Sequence, residues 1–291
     1  LVFRYNRMLN FCEESNEFFK ILLYERRRKL IKECPHCKST QFIKYGNYKG
    51  IQRYKCKCCK RTFSLTTNSV WYYSKKKVDA WTNFIATMME KVSLRVAARR
   101  LKINLATAFF WRHKIMDAIC KENEVFKLEK NVHILCNRVM ENHKGSRHIE
   151  KNNAKYIWVV TAKAGNDQII SEPISKGLWS YEAFNKIIYS KISEEAVIKG
   201  YQNRYVDGVA KWHNKKFKKK EELERDESVE KYRGMYCRWF SSFRGIATKY
   251  LKEYLNWFMM FYRERKYYYL GYSREVIKVM KYIKICDIGI E

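Results

Sequence analysis

Cys34-Pro35-His36-Cys37 and, eighteen residues later, Cys56-Lys57-Cys58-Cys59 set two Cys-x-x-Cys pairs at the spacing of a metal-binding ribbon. A Cys-x-x-Cys turn places two thiolates on one side of a tetrahedron, and two such turns complete the four-ligand shell that Zn²⁺ favours. The ligands assigned are Cys34, Cys37, Cys56 and Cys59; the i, i+3 spacing selects Cys56 with Cys59 and leaves Cys58 pointing outward. Four thiolates leave no open coordination position, so the expected zinc is structural rather than catalytic. Such a site requires the chain to fold back on itself. Residues 41–54 alternate apolar and polar side chains around Gly46 and Gly50, a hairpin that brings the second cysteine pair over the first.

The chain around this site is strongly basic. Sixty Lys and Arg against thirty acids give a formal charge of +30 over 291 residues, which makes a polyanion the expected partner. Frequent Ile, Asn and Tyr suggest that AT-rich coding contributes to the lysine load. Aromatic residues at 16% and hydrophobic residues at 46% mark a folding chain rather than a disordered one. No apolar run approaches the roughly 18 to 20 residues that span a bilayer, and no stretch reads as a signal peptide, so no membrane partner is expected. The opening Leu1 fits a truncated or alternatively initiated reading frame. Outside the assigned ligands, Cys12, Cys58, Cys120, Cys136, Cys237 and Cys286 are scattered without a disulfide framework, which points to a reducing compartment.

Five segments follow from the pattern: a helical arm over 1–33 ending in a basic run, the ribbon over 34–65, a helical region over 76–125, a core over 130–262 and a tail over 263–291. Within 76–125, Ser93 can cap a helix that sets Leu94, Ala97, Ala98 and Leu101 on one face. Lys102, Ile103 and Asn104 turn the chain into a second helix, where Ala108, Trp111 or Arg112, and Ile115 keep inward spacing. This is a helix-turn-helix pattern, whose second helix enters the major groove. Thr107, Phe110 and Lys114 fall on its exposed face, with Arg95, Arg99 and Arg112 available for phosphates. From 130 onward the pattern changes to strands at 131–137, 155–161 and 168–172, a helix over 180–189, a strand at 196–198, a Lys-rich connector over 215–220 and aromatic helices within 232–263. The expected fold is α+β and multidomain, with a zinc ribbon, a helix-turn-helix and a ribonuclease-H-like α/β core carrying C-terminal helices.

Specific residues extend this reading to a family. The cysteine pairs, Arg53 to Cys56, Arg61 to Phe63, Ser93 to Arg95, Thr107 to Ile115, Ile170 to Gly177, Phe243 to Leu251 and Tyr254 to Phe258 resemble zinc-ribbon insertion-sequence transposases of the DDE class, a group related to the Merlin elements. The resemblance runs from about 30 to 260. It implies DNA strand cleavage and transfer at terminal repeats of double-stranded DNA, a homo-oligomer that holds two element ends, and a cytoplasmic, nucleoid-associated location (nuclear in a eukaryote). It also implies two Mg²⁺ ions held by three carboxylate or amide side chains.

Here the chain departs from the family pattern. The first carboxylate belongs to a Val-Glu-Ile-Asp-Glu strand; the matching residues are Val132 to Cys136, with Lys144-Gly145 fixing the register and Leu135 in the Asp position. Lys199 matches the second position, and Glu230 retains the third, with Arg233 where the family carries His. Leucine offers no oxygen, and an ammonium opposes a cation. The expectation is a DNA-binding protein of an insertion sequence whose two-metal centre is impaired. The alternative is an active transposase with displaced ligands, Asp207 for the second position or Glu141 for the first; Asp226 reads as part of a solvated charge run. A zinc-ribbon transcription factor unrelated to transposition would leave 170–260 unexplained.

Overall fold

The computed structural model describes residues 31–48, 51–64, 67, 78–90, 92–122, 127–144, 155–165, 168–219, 223–243 and 245–263. The expected arm up to residue 30, the tail beyond 263, Gly145 and Asp167 lie outside the described residues. The chain divides into two units between Ala118 and Ile119.

The first unit opens with a three-stranded antiparallel sheet of β1 (Phe42–Tyr48), β2 (Ile51–Cys56) and β3 (Thr62–Ser64), in that order. Phe42 pairs with Cys56, and Tyr54 pairs with Phe63, so the strands deliver three rings and a cysteine to one place. Phe42 meets Tyr54 and Phe63 edge-on at 5.6 and 5.3 Å, while Tyr54 and Phe63 stack at 5.5 Å. Gly46 sits at φ +67°, where the β1–β2 register slips between Lys44 and Asn47. A left-handed backbone suits glycine at such a bulge.

Three helices follow: α1 (Val78–Met89), α2 (Leu94–Arg100) and α3 (Leu105–Glu122). Ser93 caps α2 by accepting from the Val96 amide at 3.3 Å, and Asn104 caps α3 by accepting from Ala106 at 2.8 Å. Between them Lys102 adopts φ +50°, a left-handed turn residue. Small Ala97, Ala98 and Ala108 are buried and permit close approach of the helices. Trp111 of α3 stacks on Trp81 of α1 with centroids 4.1 Å apart, and Phe84 meets Trp111 edge-on at 5.5 Å.

The second unit holds a four-stranded sheet in the order β6-β5-β4-β7, from β4 (Asn131–Met140), β5 (Tyr156–Ala164), β6 (Gln168–Lys176) and β7 (Val197–Tyr201). The β4–β5 and β5–β6 pairs are antiparallel and β7 is parallel to β4. Alternation along the strands separates two faces. On one, Val132, Ile134, Val160, Ala162 and Ile198 pack with α4 (Tyr181–Ile187) and α5 (Arg204–Lys216) through Phe184, Val206 and Ala210. The other receives α6 (Glu227–Ser241) and α7 (Leu251–Arg263), rich in buried Tyr232, Tyr236, Trp239, Trp257 and Phe258. Tyr236 donates to Asn137 on β4, and the Ser171 amide of β6 meets Met259 sulfur.

Two sequence expectations change. Residues 204–216, partly read as a connector, form α5, with Asn203 accepting from Tyr205 at its start and Lys215 and Lys216 in its last turn. Basic side chains there favour the negative end of the helix dipole rather than breaking the helix. Asp207 therefore sits on a helix, not on a strand shifted in register. Its amide nitrogen lies 2.8 Å from where a Cβ on Gly200 would stand, so α5 can begin directly over β7 only because residue 200 has no side chain.

Candidate functional site

The four cysteines converge at the closed end of the ribbon. Cys34 and Cys59 sulfurs lie 3.7 Å apart, Cys37 and Cys56 sulfurs 3.5 Å, and all four fall within 4.8 Å of one another. A tetrahedron with Zn–S bonds near 2.3 Å has sulfurs about 3.8 Å apart, so the donor set fits a metal such as zinc. The two cysteine turns share one backbone device: the residue after each pair, Lys38 and Lys60, is left-handed at φ +60° and +59°. Burial opposes ionisation of Cys56, but hydrogen bonds from the Cys59 and Cys58 amides outweigh it and lower the thiol to about 6, whereas at Cys59 the Arg61 amide is outweighed by burial and the neighbouring thiols, which push it up to about 12. The lowering at Cys56 favours the thiolate a metal needs. Cys58 is exposed and stands outside the group.

The helix residues assigned to DNA separate in the structure. Arg95 and Arg99 are exposed on α2, Thr107 is half-buried, and the Phe110 ring is 69% exposed on α3. Lys114 holds its ammonium 5.8 Å from the centre of the Trp81 ring, and burial lowers its pKa. Arg112 is a correction. It is only 2% exposed and donates to the Val92 carbonyl at 2.9 Å, tying α3 to the segment before α2. A helix turns about 100° per residue, so the positions three and four residues after inward Ala108, Trp111 and Arg112, both return to the inward face.

In the second unit the positions that family resemblance marks lie on and beside the α6 face of the sheet. Leu135 pairs in parallel register with Tyr201, and His133 with Lys199, so all four side chains share a face. Leu135 is wholly buried and packs with Tyr201 and Val229 of α6. A polar chain borders this apolar plug. Tyr201 Oη accepts from the Asp226 amide at 2.8 Å and shares a hydrogen bond with His133 Nδ1, 2.6 Å away. His133 is kept neutral by burial, which lowers its pKa. The Lys163 ammonium of β5, almost wholly buried, donates to Ser228 Oγ at 2.5 Å and to Asp226 Oδ2 at 3.3 Å. Burial would raise the Asp226 carboxyl, but hydrogen bonds from Ser228 and the Lys163 charge hold it below its ordinary value. Lys199 donates to the Leu223 carbonyl. Glu230, at the rim, accepts from Gln202 at 3.0 Å and Arg225 at 2.7 Å.

Mg²⁺ does not fit this donor set. It needs oxygen ligands in an octahedron, whereas the sheet offers a leucine and two ammonium groups, and the nearby carboxylates of Asp226 and Glu230 are already paired with Lys163 and Arg225. Among the described residues, the cysteine group is the one set of three or more His, Cys, Asp or Glu close enough to share an ion. Asp207 contacts the Gly200 position on the face opposite Leu135. Glu141, six residues beyond Leu135 and therefore about 20 Å along the strand, is paired with Lys176 and His143.

Two features escaped the sequence reading. Asp226 is the cap of α6 and the partner of buried Lys163, not part of a solvated run; the available signal was a lysine inside the apolar strand 156–164. A second feature joins two distant matched stretches: Asn142 donates its amide to Thr248 Oγ1 at 2.7 Å, its carbonyl accepts from the Thr248 amide at 2.8 Å, and Lys144 Nζ donates to the Gly245 carbonyl.

Comparison with known proteins gives the wider setting. The chain is 33% identical over 75 residues to the insertion element iso-IS1N protein InsA of Shigella dysenteriae, covering 25% of this chain and 79% of that protein. The chain belongs to the insertion-element proteins. It is also 31% identical over 77 residues to an uncharacterized protein in transposable element ISH50 of Halobacterium salinarum. The matched stretch is 26% of each chain, so this insertion-element protein spans about a quarter of that relative. No family model matches the chain, and no solved structure matches it. No helix among the described residues is long and apolar enough to cross a membrane.

Proposed function

We propose that this insertion-element protein is a transposase relative that binds double-stranded element-end DNA through its ribbon and helix-turn-helix, and whose ribonuclease-H-like core does not cut. The observation that carries the second half is the Leu135–Tyr201–Val229 plug, with Leu135 and Lys199 at two positions where the resemblance calls for carboxylates and the Lys163 ammonium beside them. The sheet order supports the core assignment. Numbered within the unit it is 3-2-1-4, antiparallel across the first three strands and parallel between the first and fourth, as in a ribonuclease-H-like sheet.

In this reading Cys34, Cys37, Cys56 and Cys59 hold Zn²⁺, which closes the ribbon and chemically does nothing else. Helix α3 lies in the major groove with Thr107 and Phe110 toward base edges, while Arg95, Arg99 and Lys114 meet phosphates. Arg112 positions α3 by holding the Val92 carbonyl. Two element ends require at least two copies of the chain.

Salt dependence of duplex binding tests the DNA half. With roughly four to six phosphate contacts, affinity should fall several hundredfold between about 50 and 200 mM salt. Arg99→Ala should weaken binding across sequences and flatten the logarithmic slope by about one unit. Arg112→Ala should instead lower the unfolding midpoint. A salt-independent affinity, or an Arg99→Ala protein with unchanged affinity and slope, would contradict the proposed docking.

A further inference from the structure

We propose that the second unit carries a separate site for unpaired DNA, an aromatic and guanidinium surface where β4 and β7 end and α4 and α5 begin. Trp179 and Tyr205 stack nearly parallel, with centroids 5.2 Å apart and planes 7° from parallel. Tyr181 stands edge-on to both, at 6.1 and 5.9 Å. Arg138 lies 5.3 Å from the centres of both Tyr156 and Trp158, and Arg204 lies 5.0 Å from that of Tyr205. A guanidinium thus lies against the ring cluster at two places, Arg138 at Tyr156 and Trp158 and Arg204 at Tyr205.

Core packing explains only part of this array. Trp179 also packs on Phe184 of the core, but Tyr181 is 51% exposed and Leu178 is 87% exposed. The exposure is built in. Gly177 turns the chain at φ +75°, its carbonyl accepts from the Trp158 indole at 2.8 Å, and the Leu178 carbonyl accepts from Ser175 Oγ at 2.8 Å. A pinned turn that presents apolar side chains to solvent marks an interaction surface.

Charge selects the occupant. Among the described residues neither Arg138 nor Arg204 forms an ion pair, and Glu141 at the end of β4 is already paired with Lys176 and His143. With a chain charge of +30, an anionic partner is favoured. A nucleotide strand supplies phosphates for the guanidiniums at the spacing at which it supplies bases for the rings. The strand must be unpaired, because a base inside a duplex has both faces covered by its neighbours.

The test uses the full-length, metal-loaded chain with a fluorescein-labelled oligothymidylate of about twelve nucleotides and, in parallel, a duplex of equal length, both followed by anisotropy. Tyr181→Ala and Arg138→Ala should each weaken oligothymidylate binding about tenfold and leave duplex binding within about twofold. Tyr181→Phe, which keeps the ring, should bind as the natural chain does. Both side chains are largely exposed, and an unchanged thermal midpoint would establish that the variants fold. The proposal is overturned if the natural chain does not bind oligothymidylate, if neither alanine variant weakens it, or if duplex affinity falls in step. Loss of duplex binding alone would count against the ribbon and helix reading and not against this site.

Discussion

Removing the metal from the cysteine site is expected to unfold the ribbon and to lower duplex affinity by at least about a hundredfold. Among the described residues the ribbon has a very small core: Cys34, Cys56 and Phe63 are buried, with Ile31, Phe42, Tyr54 and Cys59 packed against them. Its third strand is three residues long. A module of this size cannot offset its chain entropy by apolar burial, and structural zinc in comparable peptides contributes on the order of 10–16 kcal/mol of folding free energy. Chelation, or Cys56→Ser, should therefore collapse the chemical-shift dispersion of Tyr54 and Phe63 while leaving the unfolding of the second unit in place. Cys58→Ser, at an exposed thiol outside the group, should change neither metal stoichiometry nor affinity. Retention of ribbon structure and affinity in metal-free protein would assign the ribbon another role.

Leu135→Asp is the second large effect, expected to cost about 3–5 kcal/mol in a denaturant titration, because it places a carboxylate in a wholly buried site lined by Tyr201 and Val229. Lys199 already satisfies the Leu223 carbonyl and would have to abandon it to pair with the new charge. Adding Lys199→Asp should remove that remaining compensation, and millimolar Mn²⁺ should then raise the midpoint of the double variant by mass action without moving that of the natural chain. A cost below about 1 kcal/mol for Leu135→Asp would show that the position is hydrated and that the plug does not exist in solution.

What the sequence made legible follows the range of the interactions involved. The cysteine group was readable because each pair of ligands is set by a local turn, with the second pair returned by a hairpin. The caps at Ser93, Ser180 and Asn104 were equally local. Arg112 sat one step from a correct reading: either Trp111 or Arg112 was expected inward, and helical geometry takes both. The pairing of Lys163 with Asp226 joins residues from a strand and a helix cap sixty-three positions apart, and neither neighbourhood announces the other. A charge-rich stretch over 221–227 reads as solvated for that reason. The same holds for Asn142 and Thr248, 106 positions apart. Helix α5 was obscured by its lysines, which suggest a connector until their place in the final turn is known.

The proposed function has this chain recognise DNA without cutting it. The most direct measurement is strand cleavage by the natural, zinc-loaded chain on duplexes that it selects from a random pool, with Mg²⁺ or Mn²⁺ supplied. The expected result is retained, saturable binding with no metal-dependent nick, since Leu135, Lys163 and Lys199 leave no oxygen cage for a cation. Robust metal-dependent nicking by the unaltered chain would overturn the proposed loss of cutting and require oxygen ligands from residues other than Leu135, Lys199 and Glu230.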